Sequence, residues 1–445
     1  MNKLYIYVML FVFFCSCKKD FLEIKPDQGL LIPKTLTDLR ALLDNTSVMN
    51  IGPGLNVLST DEYQILSLGN LNSYATAGER NAYIWKTDIF DGEPSADWEY
   101  GYRQVFYANV VLEGLEDIEI TDVNRTEWNE IKGAALFSRG IAFYQLVSQF
   151  AAVYEKSNLD MPGIPLKLKS DVNEKPDRGT VQHIYTQLLD DLNRAIPLLP
   201  DKQNVMLSRP GKLTVYSYLA RIYLSIGNYN QALDFSDKCI KIKPDLLDYN
   251  SLSKTSTRPI SLSVAANSEV IHWQWMIPYT FASYSTSNMS AELISSYDVN
   301  DLRKVIYFRN RNNGIYTFKG NYTGDSYLFI GTATDEMYLI RAECRARLND
   351  VTGAMEDLNS LMKKRWNNTV PYVTFTALND EEALTKVLIE RKKELVTRGT
   401  RWTDLRRFNK DIRYAVTLKR NIDNIEYILP PNDERYVFPI PIQEK

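Results

Sequence analysis

The sequence predicts a mainly α protein: a scaffold of tetratricopeptide-like helix pairs carrying an irregular, loop-rich half with short strands. Three observations predict it. Apolar residues recur at helical spacing over several long stretches. Two of those stretches repeat the same order of bulky, small, aromatic and turn residues. Around them lie segments rich in Asn, Ser, Gly and Tyr that hold no helical period.

The chain opens with Lys3 and an apolar run, LYIYVMLFVFF, from Leu4 to Phe14. That run suits a signal-peptide core and is too short for a bilayer, which needs roughly 20 residues. Ser16 precedes Cys17, and SCKKDFLE follows the run directly. A cysteine just after a small residue can take a lipid on its thiol and become the first residue of a mature chain. One acyl chain binds marginally and two or more anchor stably, at about 0.8 kcal/mol per buried methylene. The expectation is a lipoprotein signal over residues 1–16, lost with Cys15, and lipidation at Cys17; a plain secretion signal is the alternative. The KKDFLEIKPDQGLLIPKT segment then reads as an extended tether.

The first short helix is TLTDLRALLDN, with Leu36, Leu39, Leu42 and Leu43 on one face and Thr35 or Thr37 as cap. Residues 44–95 read as loops with short helices. Ser95 caps a long helix whose periodic set is Trp98, Tyr102, Val105, Phe106, Asn109 and Leu112. A second begins at Trp128, with Ile131, Ala134, Ala135, Ser138 and Ala142 on one side, small enough to admit another helix closely. A third starts at Thr180, carries Val181, Ile184, Leu188, Leu192 and Ala195, and ends at Pro197.

Lys212 to Pro244 has the marks of one tetratricopeptide unit: Tyr216, Leu219, Ala220 and Tyr223, a turn at Gly227, then Ala232 and Pro244. A second copy starts near Asp335, with Tyr338 and Ala342, a turn at Asn349 and Asp350, then Ala354 and Leu358. Between them, VIHWQWMIPYTF alternates in strand fashion. NNGIYTFKGNYTGDSYLFIG reads as two short strands about a turn at Gly320 and Asn321. Near the end, ALTKVLIERKKELVTRGTRWTDLRRF gives a helix, a break at Gly399 and a short helix, before the proline-stiffened tail YVFPIPIQEK.

Composition narrows the function. The chain has 445 residues, 44% hydrophobic, enough to bury a large core. A net charge of −3 with acids and bases interspersed argues against a nucleic-acid partner. Only His183 and His272 are present, far apart, so neither a histidine metal site nor a cofactor is expected. Cys239 and Cys344 fall in helices, where a buried thiol is usual; a disulfide between them stays open. No phosphate loop or GxSxG elbow occurs, and the GDS at Gly324–Ser326 lacks a partnered histidine. No catalytic residue is nominated. Glu390, Arg391, Glu394, Arg401, Asp404, Arg406 and Arg407 read as ion pairs along and between two helices, with Trp402 as packing.

The aromatic loops are the remaining clue. Tyr is the commonest aromatic, 28 against 17 Phe and 7 Trp. Flat rings stack on the CH faces of sugars while neighbouring polar groups bond hydroxyls, so Tyr74, Trp85, Trp98, Trp273, Trp275, Tyr279 and Tyr284, with Tyr83 nearby, are candidate ligand contacts. Core packing is the competing use of any one of them.

Several motifs together resemble the SusD/RagB-like family of outer-membrane nutrient-binding lipoproteins. They are SCKKDFLE, WEYGYRQVFYANVVLEGL, TVQHIYTQLLDDLNRAIPLLP, YSYLARIYLSIGNYNQAL, YLIRAECRARLNDVTGAMEDLN, ERKKELVTRGTRWTDLRRF and VFPIPIQE, in order over nearly the whole mature chain. The resemblance implies a single domain over 17–445. Its helical scaffold spans about 96–245 and 333–410, and its ligand-facing loops about 44–95 and 246–332. It further implies a lipid-anchored, surface-exposed outer-membrane protein that binds an oligosaccharide, or a peptide in some members. Such a protein passes its ligand to a SusC-like TonB-dependent barrel without making or breaking bonds. An assembly scaffold is the reading from another class. The FAAVYEKSNLDMPGIPLKL segment departs from the family's compact turn, with Pro162 and Pro165 coming late.

Overall fold

A computed structural model describes residues 33–202, 205–260, 267–283 and 287–444. Cys15, Cys17 and Tyr284 lie outside them, so the signal, the lipidation site and one candidate ring have no structural counterpart here. The fold is the mainly helical one that the sequence predicts. Helices of eight or more residues are numbered α1 to α10.

Helix α1 (Leu36–Leu43) starts at a capping box: Thr35 accepts from the Asp38 amide, and the Asp38 carboxylate accepts from that of Thr35. Helix α2 (Ala96–Gly114) is capped by Ser95, as expected, and packs on α3 (Arg125–Phe150). Gly101 permits that approach, since a Cβ there would lie 2.7 Å from the Leu146 side chain. The expected inward set of α2 errs at Phe106, which is exposed; Gln104, Ala108 and Val111 are buried instead. On α3, Ile131, Ala134, Ala135 and Ala142 are buried, and Gly140 sits against α4 (Val181–Ala195). Thr180 caps α4, whose five predicted apolar residues are all fully buried.

The two repeat copies are two helix pairs. Helices α5 (Lys212–Ser225) and α6 (Tyr229–Ile242) meet at Gly227, with φ +76°. Helices α7 (Thr334–Arg347) and α8 (Val351–Lys363) meet at Asn349, with φ 65°, and Asp350 caps α8. The same left-handed turn is thus made by Gly in one copy and Asn in the other. α6 packs on α7, so the copies are neighbours in space although the inserted segment separates them in sequence. α9 (Asp380–Glu394) lies on α7, and α10 (Arg401–Phe408) follows the break at Gly399, φ +74°. Cys239 and Cys344 are buried free thiols on α6 and α7.

The strands form six two-stranded sheets among the described residues. Ile51–Gly52 runs parallel to Trp275–Met276, and Val270–His272 pairs antiparallel with Thr332–Ala333, so the insert is stitched to both the first loop segment and the start of α7. The predicted hairpin about Gly320 is corrected: the strands are Phe308–Asn310 and Tyr316–Phe318, turning at Asn312, Asn313 and Gly314, all with positive φ. Gly320 instead lies against the Tyr307 ring, where a Cβ would come within 2.5 Å. A further hairpin, Leu418–Ile422 with Ile425–Leu429, turns at Asp423 and Asn424.

The charged run near the end is internal. Arg391 and Arg407 both donate to Asp404, at 2.8 and 2.9 Å, joining α9 and α10 as expected, with Trp402 buried. Glu390 and Glu394 instead reach across to Arg303 and Arg365, which have no exposed surface. Arg365 also pairs with Glu269 at 2.7 Å and Arg303 with Asp301 at 2.6 Å. Beside this network the Tyr249 hydroxyl is bonded to those of both Tyr307 and Tyr322. The seam between insert and scaffold is therefore ionic.

Candidate functional site

A broad concavity lies beside the first turns of α2, where Asp97 and Trp98 are buried and Glu99 and Arg103 are exposed. Asp97, in the first turn, accepts from the amides of Gly54 and Leu55 and from the Tyr279 hydroxyl at 2.9 Å, tying the helix to both loop segments. Burial pushes its carboxyl up to about 6, against those bonds. The next residue, Trp98, lies 4.7 Å from the Tyr102 ring and edge-on to Phe150 at 5.0 Å. Phe438 of the tail packs on Phe150, held there by its amide donating to the Gln149 carbonyl at 2.8 Å.

One face of α2 also carries the wall. The Tyr102 hydroxyl donates to the Pro165 carbonyl at 2.8 Å. The Asn109 amide donates to the carbonyls of Lys167 and Lys169, and Glu113 accepts from the Ser170 amide. The spacings 102, 109 and 113 return to the same side of a helix, so this face grips the 165–170 segment along its length. Behind it, Arg139 orients Asn109 while making a two-pronged bond to Asp191, 2.7 Å on each arm.

Together these elements enclose an open cleft of about 1160 Å³. Tyr102 is the half-buried ring on its wall, backed by Trp98, Phe150 and Phe438, which are at most 3% exposed, and Glu99, Arg103, Lys167, Lys175, Arg178 and Arg435 give it a charged rim. A concave surface with polar groups at fixed positions is the usual character of a small-molecule site.

A second aromatic surface lies on the insert. Trp273 and Trp275 are half-buried and alternate with buried His272, Gln274 and Met276, as strand residues do. The Trp275 ring lies 4.6 Å from that of Tyr327, which is 40% exposed. The indole N–H groups of both tryptophans have no acceptor among the described residues. On the inner side, Tyr218 bonds both His272 and Gln274 at 3.1 Å, and burial drives the imidazole pKa down to about 3.

Trp98, 3% exposed, backs the cleft from within the core, and three further candidate rings are corrected to core. Tyr74 is 2% exposed with its hydroxyl 2.6 Å from Ser287 Oγ. Trp85 donates its indole N–H to the Ser59 carbonyl at 2.9 Å and lies under the Arg420 guanidinium, which also stacks on Tyr83. Tyr279 is spent on Asp97. Each is buried with its polar atom satisfied inside, which leaves no face for a ligand. Sequence reasoning missed the rim residues Lys167, Lys175, Arg178 and Arg435. They come from distant segments, and only the α2 face that grips the wall links them to Trp98.

His183 is exposed on α4, far from the buried His272 in environment. Among the described residues no group of three or more His, Cys, Asp or Glu is placed to hold a metal ion, and no helix is long and apolar enough to cross a membrane.

Comparison with known proteins gives a consistent picture. A family model described as starch-binding, associating with the outer membrane, matches residues 20–224. The model of the SusD family matches residues 282–444. A SusD superfamily protein from Bacteroides thetaiotaomicron superposes with a TM-score of 0.73 at 21% identity, covering 92% of this chain and 97% of its own. One from Bacteroides vulgatus gives 0.74 at 20%, covering 92% and 96%. A laminarin-binding SusD-like protein gives 0.63 at 18%, covering 91% and 95%. In sequence, SusD-like protein P2 of Formosa agariphila is 26% identical over 172 residues, 38% of this chain and 31% of that relative, so the chain spans under a third of that relative's length.

Proposed function

Because the chain belongs to the SusD/RagB-like family, we propose that it is a cell-surface lipoprotein that captures an oligosaccharide and delivers it to a SusC-like TonB-dependent outer-membrane transporter. The observation that carries the ligand part is the cleft of about 1160 Å³, where the half-buried Tyr102, backed by the buried Trp98, Phe150 and Phe438, lies within a charged rim. Ring edges and faces suit the CH-rich side of a sugar, and the rim supplies donors and acceptors for hydroxyls. The second aromatic surface, Trp273, Trp275 and Tyr327, is a further platform for a longer chain. Anchoring is assigned to acyl chains on Cys17, which require no spanning helix. Capture involves no bond cleavage. Modest affinity serves delivery, since tight binding slows release.

The test is calorimetric titration of the full chain in mild detergent against a panel of polysaccharides and mixed peptides. Glu99 and Arg103 are both exposed, so replacing them together by Ala leaves the fold intact. That double variant is expected to weaken the bound glycan at least tenfold with Tm unchanged, while Trp275→Ala weakens only longer oligomers. Loss with Trp275→Ala alone moves the site to the insert. Peptide binding without glycan binding replaces the ligand class.

A further inference from the structure

We infer that the start of α10 and the arginines around it form a site for a small tetrahedral oxyanion, apart from the cleft and independent of the glycan reading. A cavity of about 50 Å³ is lined by Gly399, Thr400 and Thr403 of the α10 entry together with Arg221, Arg391, Arg398 and Arg407. Four guanidinium-bearing residues thus surround one small space, and Asp404 is the single acidic residue on its wall. The other carboxylates these arginines use, Asp335, Glu336 and Glu343, do not line it.

Two independent features make this a built site. The first is the helix end. α10 begins at Thr400, whose side chain makes no capping bond, so the leading amides of the helix lack the side-chain acceptor that most starts possess. The left-handed backbone at Thr397, φ 61°, and Gly399, φ +74°, turns the chain sharply into that end. The second feature is the guanidinium groups. Arg391 is 2% exposed and donates Nε to Asp404, yet its Nη1 has no acceptor among the described residues. Arg398 is 5% exposed and donates Nη1 to Asp335, yet its Nε and Nη2 have none. Buried charged donors rarely stay unpaired, so this cluster has fewer acceptors than it needs. An anion supplies them and is favoured by the positive end of the helix.

Size and direction select the ligand. The cavity is far below the roughly 300–1,000 Å³ of ordinary small-molecule sites, so a sugar ring does not fit. It exceeds the space of one water, about 10–15 Å³ on the same measure. Donors converge from α5, α9, α10 and the loop between the last two, which suits the several oxygens of sulfate or phosphate better than a planar carboxylate. The source is either the free ion or a sulfate ester pointing in from a larger molecule.

The test is thermal melting of the full chain in detergent, with chloride replaced stepwise by sulfate or phosphate at constant ionic strength. The expected result is a saturating rise in Tm, with the half-saturating concentration raised at least tenfold in Arg391→Gln and several-fold in Thr403→Val. Thr403 is half-buried and Val preserves its shape, so this second variant stays informative should Arg391→Gln fail to fold. A rise that is linear in sulfate and identical in Thr403→Val is the general effect of an excluded salt and overturns the site. So does a crystal soaked in selenate whose anomalous peak lies elsewhere. A sulfated monosaccharide run in parallel assigns the source: competition with free sulfate points to an ester, and its absence to the free ion.

Discussion

The helix-pair scaffold and the seam that joins the insert to it are held by different forces. Between α3 and α4, and within each repeat pair, contact is mostly made by Ala, Gly and branched apolar side chains with essentially no exposed surface, with isolated ion pairs, Arg139–Asp191 and Arg341–Asp357, set among them. At the seam, the same degree of burial encloses Arg303 and Arg365 with Asp301, Glu269, Glu390 and Glu394. Apolar packing loses strength in proportion to the atoms removed. A buried ion network instead keeps the desolvation cost of every charge left behind when one partner goes. The scaffold is graded and the seam is brittle.

The largest effect that tests this contrast is at the seam. Arg303→Met removes the shared partner of Asp301, Glu390 and Glu394, and is expected to cost about 3–5 kcal/mol in urea unfolding. Adding Asp301→Leu should restore part of that loss, because Arg303 is the main partner of that carboxylate, whereas Glu394 keeps Arg365 and Glu390 keeps Lys393. If Arg303→Met alone costs under about 1 kcal/mol, the range of a surface ion pair, the seam is not brittle.

Next comes pH. Asp61 and Glu62 are neighbours shifted in opposite directions. Burial would raise Asp61, but Arg401, bonded at 2.8 Å, and Lys392 hold it well below the usual carboxylate range. Glu62 makes no ion pair of its own; burial, with the charge of Asp61, outweighs the pull of Arg401 and pushes it up to about 8. Its folded pKa lies above the unfolded one, so its contribution is fully present below about pH 4.5 and is lost as pH rises through about 8. Asp61 contributes above about 3.8 and loses that contribution as pH falls below it. Glu62→Gln should therefore flatten the decline in stability between about pH 5 and about pH 8, on the order of a few kcal/mol. An unchanged slope would place the titration elsewhere.

The scaffold side of the comparison is sharpened by Gly101→Ala. The added Cβ meets Leu146 at 2.7 Å, and overpacking of this kind costs about 1–3 kcal/mol. Pairing it with Leu146→Ala should cost less than the two single changes summed, because each relieves the misfit left by the other.

The same division explains what the sequence made legible. The repeat copies, the cap at Ser95, the cap at Thr35 rather than its alternative Thr37, the helix start at Thr180 and the turn at Gly227 are local patterns, and each stands where the pattern puts it. The hairpin misplaced to Gly320 had its true turn, Asn312–Gly314, in plain sight, but Gly320 is a packing glycine, and no local rule separates the two uses. The Leu418–Leu429 hairpin was missed although its alternation is regular, because its turn residues, Asp423 and Asn424, carry no glycine. Ring candidates divided by a nonlocal property. Trp85 and Trp275 look alike in sequence, and only the acceptor at Ser59 and the cover of Arg420 consign the first to the core.

The smallest effect joins the comparison to the cleft. Thr180 accepts from the His183 amide at 3.2 Å to cap α4, and in the same place pairs across to Pro162 beside the wall strand that carries Arg178. Thr180→Ala is expected to cost about 1 kcal/mol. Arg178 donates to the carbonyls of Gly163 and Pro162, so its own contact holds the strand pairing when the cap weakens. The variant should lower Tm slightly and leave glycan affinity within twofold. A larger fall in affinity than in stability would mean that the wall is positioned by α4 rather than by the face of α2, and that the scaffold, graded though it is, transmits its strain directly to the site.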